Sequence, residues 1–359
     1  MIPLWVLTGF LGSGKTTLLG RLLKSPGAAP TAVIINEFGE IGLDHDLIES
    51  SDESLIALQT GCLCCAVRGD LQRTLEDLWQ RRCAGSVPPF ERVVVETSGL
   101  ADPAPILHAL MLDDALRQHI EIAGVITTVD AITGAASLDR HAEAIKQVAL
   151  ADRLLLTKTD LLAGPASGLT ARLAKLNPAA ALLTASFGEV DAARLFAADF
   201  VTKQAAAVEC WLAATPPATH HHDADITTFA LVRQAPMRAV TLTLLLEVLA
   251  EHCGSDLLRL KGLVNIAESP DRPAVIHGVQ HVFHPPAWLE RWPSPDRRSR
   301  VVFIGRKLRQ AWVEALLTTL EAEVAEVSAA ARHGPPPAAG DPHFRPAPPR
   351  PGPASAPAR

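Results

Sequence analysis

The sequence contains no apolar run near the roughly 20 residues that span a bilayer, so a transmembrane helix is not expected. It has no basic excess either: Lys plus Arg is 33 against 39 Asp plus Glu, a formal charge of −6. The electrostatic footprint of a nucleic-acid binder is therefore missing. Cysteine is sparse, six in 359 residues, too few for a disulfide scaffold. The N-terminus has no basic n-region and no small-residue cleavage site, and Lys15 interrupts its apolar stretch. It does not read as a signal peptide, and a cytoplasmic location is expected. Lysine is scarce, 8 against 25 Arg, so a lysine inside a motif carries slightly more information than usual. No internal repeat is found. What remains is ample material for a core, 48% hydrophobic and 20% charged, in a chain long enough for two domains.

Residues 1–204 alternate apolar runs with helical patterns. Ile2–Thr8, Thr31–Asn36, Arg92–Thr97, Ile122–Asp130, Arg153–Thr157 and Ala181–Thr184 read as strands. Lys15–Lys24, Asp70–Arg82 and Asp139–Leu150 read as helices. Apolar, non-alternating strands between helices predict an α/β fold, a mostly parallel sheet with helices on both faces. Residues 205–225, with Pro216, Pro217 and the run His220-His221-His222, read as a linker. Residues 226–327 then read βαβββα: strands Ile226–Arg233, Leu257–Ala267, Ala274–Phe283 and Arg300–Gly305, helices Val240–His252 and Gln310–Val327. That order predicts a smaller α+β domain with an antiparallel sheet. Residues 328–359 read as a disordered tail, with ten prolines in the 27 residues from His333.

The strongest motif is Gly9-Phe10-Leu11-Gly12-Ser13-Gly14-Lys15-Thr16-Thr17, between the first strand and the first helix. It satisfies GxxxxGK[ST] in the strand–loop–helix context the motif requires, and so predicts a P-loop. Glycines let successive backbone N–H groups turn inward toward phosphate, and the helix N-terminus adds partial positive charge. Lys15 would reach the β- and γ-phosphates and Thr16 would ligate Mg²⁺. Thr157-Lys158-Thr159-Asp160 follows a strand about 140 residues later. The Asp160 carboxylate can accept from both donors of guanine, whereas adenine would leave it unpaired. Thr157 stands where this motif usually has Asn. Glu96, where Asp is usual, ends a buried strand, the place where P-loop NTPases keep a carboxylate that supports Mg²⁺ from behind its direct ligands. Gly99, in Glu96-Thr97-Ser98-Gly99, would let the backbone approach a γ-phosphate. Finally, Cys62, Cys64 and Cys65 crowd three thiols into four positions, a soft-metal donor set once deprotonated. Cys64 and Cys65 would point to opposite faces of a flat strand, so joint chelation needs a turn, which Gly61 permits. The fourth tetrahedral position of Zn²⁺ is left to another residue, a water or a client protein.

These motifs fall in order: GFLGSGKTT, Asn36-Glu37-Phe38-Gly39-Glu40, Cys62–Cys65, Glu96–Pro103 and Thr157–Asp160. Leu257–Ala267, Val275–Pro285 and Arg298–Gly305 follow them. Together they resemble the CobW-like family of P-loop GTPases that act as metal chaperones, over about residues 1–326. The resemblance implies Cys62, Cys64 and Cys65 as ligands of a transferable metal, with an oxygen from Glu37 or Glu40. It implies GTP and GDP as ligands, slow hydrolysis with Mg²⁺, and delivery of Zn²⁺ to a client metalloprotein. Co²⁺ handling for cobalamin synthesis or nitrile hydratase activation is the nearest alternative. A nucleotide-modulated metal buffer or sensor, and a P-loop kinase with structural zinc, are readings of other classes. Oligomeric state stays open, a nucleotide- or metal-dependent dimer being one option. His220–His222 could capture metal or be a solvated tract. Cys83, Cys210 and Cys253 read as small apolar fillers. His277 and His281 should share a strand face, with His284 on the other.

Overall fold

The computed structural model describes residues 1–25, 29–36, 55–59, 68–197, 221–223 and 226–333. The chain opens with β1 (Ile2–Gly9), α1 (Lys15–Lys24), β2 (Thr31–Asn36), β3 (Leu55–Gln59) and α2 (Arg68–Cys83). It continues through β4 (Arg92–Thr97), α3 (Ala104–Met111), β5 (Ile120–Asp130), α4 (Gly134–Arg140) and α5 (Ala142–Leu150). Then come β6 (Arg153–Thr157), α6 (Ser167–Leu176), β7 (Ala181–Thr184) and the short α7 (Ala192–Leu195). The seven strands form one sheet in the order β3-β2-β4-β1-β5-β6-β7, parallel throughout. Both faces are covered, which is why these strands are apolar without alternation. Leu4 and Val6 of β1 pack with Leu71 and Leu75 of α2, while Trp5 and Leu7 pack with Leu18 and Leu19 of α1. Central β1 has β4 on one side and β5 on the other, so strand order reverses there. The crevice beyond the carboxyl ends of these strands is where open α/β sheets bind ligands.

The C-terminal domain contains β8 (His221–Asp223), β9 (Ile226–Arg233), α8 (Ala239–Cys253), β10 (Leu257–Val264) and β11 (Ala274–Val279). It closes with β12 (Val282–Phe283), β13 (Ala287–Trp288), β14 (Ser299–Arg306) and α9 (Gln310–His333). Its antiparallel sheet runs β12-β11-β10-β14-β9-β8, with β13 also paired to β11. The period of two assigns each residue to a face. Phe229, Leu231, Val301 and Phe303 meet Leu242 and Leu249 of α8 and Val313 and Leu317 of α9. Ala230, Leu258, Val302 and Ile304 instead join Ala144 and Val148 of α5 and Leu173 of α6. The sheet is thus sandwiched between its own helices and the nucleotide domain.

Several sequence expectations are corrected. His221–Asp223 is not linker but edge strand β8, paired with Ile226–Thr228. Asp139–Leu150 is two helices, broken where His141 turns extended, with φ −127° and ψ 114°. Ala274–Phe283 is a hairpin: Val279 pairs with Val282 across Gln280, whose φ is 53°, and His281. The last helix continues past Val327 to His333, into the segment expected to be tail. Cys83 is exposed at the end of α2 rather than a buried filler, whereas Cys253 packs beside the α8 core. No described helix is long and apolar enough to cross a membrane.

Candidate nucleotide site and the cysteine motif

The phosphate loop leaves β1 at Gly9 and enters α1 at Lys15. Gly12 and Gly14 adopt φ of 69° and 89°, the left-handed region that residues with a Cβ disfavour. Gly14 is the N-cap of α1 and offers no side-chain acceptor. The amino end of the helix therefore presents its backbone N–H groups and partial positive charge to the loop. Lys15 is buried, and its Nζ donates to the carbonyls of Gly9 (2.9 Å) and Phe10 (3.4 Å). Ser13 shares a 2.7 Å hydrogen bond with Thr128 at the end of β5. Thr17 is exposed on the first turn of α1.

Thr16 and Glu96 lie 80 residues apart in sequence and meet in the fold. Thr16 Oγ1 donates to Glu96 Oε1 at 2.8 Å, and Glu96 is 4% exposed at the end of β4. A hydroxyl and a carboxylate side by side form an all-oxygen donor pair, which fits Mg²⁺. Gly99 packs directly against the phosphate loop. A Cβ there would lie 2.8 Å from the Leu11 nitrogen and 2.9 Å from its Cα, so only glycine permits this approach.

On the base side, Thr157 ties the two nucleotide loops together. Its hydroxyl lies 2.7 Å from the Ser13 carbonyl and 3.2 Å from that of Val129. The departure from Asn thus retains a link between the Thr157–Asp160 segment and the phosphate loop. Lys158, at φ 57°, reaches across to Asp130 and donates to its Oδ2 at 2.8 Å. Burial alone would raise the Asp130 carboxyl. The Lys158 ammonium and the N–H groups of Ile132 and Thr133 outweigh it and hold the group below the ordinary range. Asp160 Oδ1 accepts the Phe187 N–H at 2.7 Å. Asp130, Thr128 and Phe187 belong to no motif legible in the sequence. The only signal for the first two was a polar end, Thr127-Thr128-Val129-Asp130, to an apolar strand.

Glu37, Glu40, Cys62, Cys64 and Cys65 lie outside the described residues, as do Cys210 and His220. The strand that leads toward them is described. β3 pairs with β2 in parallel, Ile35 opposite Gln59, and ends at the carboxyl edge of the sheet where β1 and β4 also end. Among described residues, no group of three His, Cys, Asp or Glu side chains could hold a metal ion. His277 stacks on His284 at 4.0 Å rather than sharing a face with His281, because the hairpin folds the chain back; His281 instead meets His108.

A parallel sheet whose central strand feeds a GxxxxGK[ST] loop into a helix N-terminus, with a Thr–carboxylate pair beside it, defines a P-loop nucleoside triphosphatase. Residues 3–184 match the family described as CobW/HypB/UreG, nucleotide-binding domain, and residues 226–321 match the cobalamin synthesis protein cobW C-terminal domain. The chain belongs to the CobW family of P-loop GTPases. It is 34% identical to the zinc chaperone YjiA of Escherichia coli (strain K12), over 89% of this chain and 98% of that protein. It is 32% identical to the zinc-regulated GTPase metalloprotein activator 1 of Schizosaccharomyces pombe, over 53% of this chain and 47% of that one. The crystal structure of the Zn(II)-bound YjiA GTPase from E. coli superposes with a TM-score of 0.69 at 30% identity, covering 89% of this chain and 98% of that chain.

Proposed function

We propose that this chain is a GTP-dependent metal chaperone. It binds Zn²⁺ through Cys62, Cys64 and Cys65, with an oxygen from Glu37 or Glu40, and passes it to a client metalloprotein as GTP is hydrolysed to GDP and phosphate. The observation that carries the reading is the shared sheet edge. β3, which ends two residues before Gly61, pairs with β2, and β2 pairs in turn with β4; β2 and β4 end at Asn36 and Thr97 on the same sheet edge. The Cys62–Cys65 segment therefore follows a strand on the same carboxyl edge as β4 and β1, next to β2 and two and three strand positions from β4 and β1.

In this reading the Gly9–Thr17 loop and the amino end of α1 cradle the phosphates, with Lys15 moving its ammonium from the loop carbonyls to the β- and γ-oxygens. Thr16 and Glu96 hold Mg²⁺, which when bound neutralises charge on the β- and γ-phosphate oxygens. Asp160 accepts from guanine, and Thr157 couples the base loop to Ser13. Gly99 brings its backbone to the γ-phosphate side. The relatives' names, zinc chaperone and GTPase metalloprotein activator, favour Zn²⁺ over Co²⁺ as cargo and a client over simple buffering.

The test is thermodynamic linkage, which must be reciprocal for equilibrium binding. A non-hydrolysable GTP analogue is titrated calorimetrically with and without Zn²⁺ at fixed Mg²⁺. The expected result is an affinity change within about 5–150-fold, abolished by replacing all three cysteines with Ser while metal-free binding persists. Indistinguishable affinities with and without Zn²⁺ would mean two independent sites and refute a gated chaperone.

A further inference from the structure

We infer that Gln147 is a positioning residue for the loop on the γ-phosphate side of the nucleotide site, an assignment that rests on the GTPase reading above. Gln147 lies on α5 and is 1% exposed. Its Nε2 donates to the carbonyls of Gly99 (3.1 Å) and Ala101 (3.0 Å), so both amide hydrogens are spent on one turn, 48 and 46 residues away in sequence. Its Oε1 is buried and has no hydrogen-bond partner among the described residues. A buried acceptor without a donor is a cost that Leu or Met at this position would avoid. What the amide supplies here is its two donors.

The neighbouring residue completes the clasp. Lys146 Nζ donates to Asp102 Oδ2 at 2.8 Å, while Asp102 Oδ1 accepts the Ala104 N–H at the start of α3. Two successive residues of α5 thus hold the segment from Gly99 to Asp102 from one side. The Leu11 backbone abuts Gly99 on another. The turn is closed internally by the Ala101 N–H donating to the Ser98 carbonyl at 3.0 Å, which turns the Gly99 N–H outward from it. Helix α5 is itself fixed. The Gln147 carbonyl accepts from Thr127 Oγ1 at 2.8 Å, and the Leu150 carbonyl accepts from Arg259 of β10 at 2.7 Å. Leu100 is 53% exposed, so water could reach this turn. Its orientation is instead set by a buried amide on a rigid helix.

On the GTPase reading Gly99 faces the γ-phosphate, so positioning of this turn should matter for GTP and not for GDP. The experiment compares the full chain with Gln147→Leu and Lys146→Met, measuring GDP affinity, affinity for a non-hydrolysable GTP analogue, GTP turnover and melting temperature. For Gln147→Leu, analogue affinity and kcat should each fall about tenfold, the loss of one to two net hydrogen bonds, with GDP affinity unchanged. Lys146→Met removes a partly exposed ion pair. It should shift the same analogue-to-GDP ratio by about two- to threefold, and it keeps the test open should Gln147→Leu not fold. A fall in melting temperature with an unchanged analogue-to-GDP ratio in either folded variant would overturn the proposal and leave Gln147 a structural residue. A parent protein that neither hydrolyses GTP nor prefers the analogue would instead overturn the GTPase reading itself, and this proposal with it.

Discussion

Asp152 is the acidic centre of the seam between the two domains, and replacing it with Asn should show how that seam is held. Its side chain is 2% exposed, and it faces Lys261 Nζ at 2.9 Å and the Arg259 guanidinium, both on β10 and themselves almost wholly buried. Its Oδ2 also accepts the Val125 N–H at 2.8 Å. Burial alone would raise the carboxyl, but Arg259 and Lys261 hold it far below the usual carboxylate range. Asn can keep the Val125 bond but leaves two cations facing each other without a counter-charge. Breaking a buried ion pair in this way costs about 3–5 kcal/mol. The lower end is expected here, because Arg259 keeps its bond to the Leu150 carbonyl. Urea unfolding at pH 7 should therefore show Asp152→Asn destabilised by about 3 kcal/mol. Adding Arg259→Met and Lys261→Met should recover part of the loss, since it removes the uncompensated buried cations but leaves a buried amide and the Leu150 carbonyl without the Arg259 donor. The sign of the pH dependence follows from the depressed pKa. This stabilisation is complete above the unfolded carboxyl value near about 3.9 and is lost only as pH falls through the lower folded value. The gap between parent and variant should then be constant from about pH 5 to pH 8. A loss under about 1 kcal/mol at pH 7 would refute a desolvated, charge-balanced seam.

Two further outcomes follow from the same structure. Burial, joined for His284 by Arg117 and Arg259, and for His277 by His284, Arg259 and Lys261, keeps both imidazoles below their ordinary value, His284 at about 4. The unfolded chain then binds more protons below about pH 6.5, so stability should fall on acidification from there toward pH 4, by about 2–3 kcal/mol for His284; urea midpoints across that range for His277→Gln/His284→Gln should be flatter than those of the parent. Thr157→Val should lower GTP and GDP affinity together by about tenfold, because it removes the tie to Ser13 but no phosphate contact; Thr157→Ser should restore it, and calorimetric titration of all three proteins checks both.

Much of this architecture is legible in the sequence because it rests on patterns with a physical cause. The GxxxxGK[ST] loop needs its glycines, and the strands of a sheet covered on both faces must be apolar throughout. What escapes reading is whatever depends on a distant partner. Leu55–Gln59 is a five-residue strand that exists by pairing with β2. His221–Asp223 is strand only because β9 offers it an edge. The Gln280–His281 turn has neither Gly nor Asn to announce it, so Ala274–Phe283 reads as one strand and the His277–His284 stack is missed. At the end of α9, Ser328–His333 is rich in alanine, a strong helix former, but the proline-rich composition after it obscured the signal. The same limit applies to the site. Thr16 and Glu96 are foreseeable as motif members, whereas Gln147 looks like any polar residue on a helix until the fold sets it beside Gly99.

The position of α5 gives these separate observations a common consequence. On one side, Lys146 and Gln147 hold the turn beside the phosphate loop. On another, Ala144 and Val148 pack with Leu258 and Ile304 of the C-terminal sheet. At its end, the Leu150 carbonyl and Asp152 receive Arg259 and Lys261. A second bridge runs from the nucleotide domain where His108 Nε2 meets the Val279 carbonyl at 2.9 Å. A tightly packed interface of this kind deforms little, so α5 and the C-terminal sheet form one reference frame against which the Gly99–Asp102 turn is held. Movement of that turn on phosphate binding would have to break the Gln147 and Lys146 bonds or carry α5 with it. The first would confine the response to the nucleotide loops. The second would strain the Asp152 cluster, because Arg259 ties the end of α5 to β10.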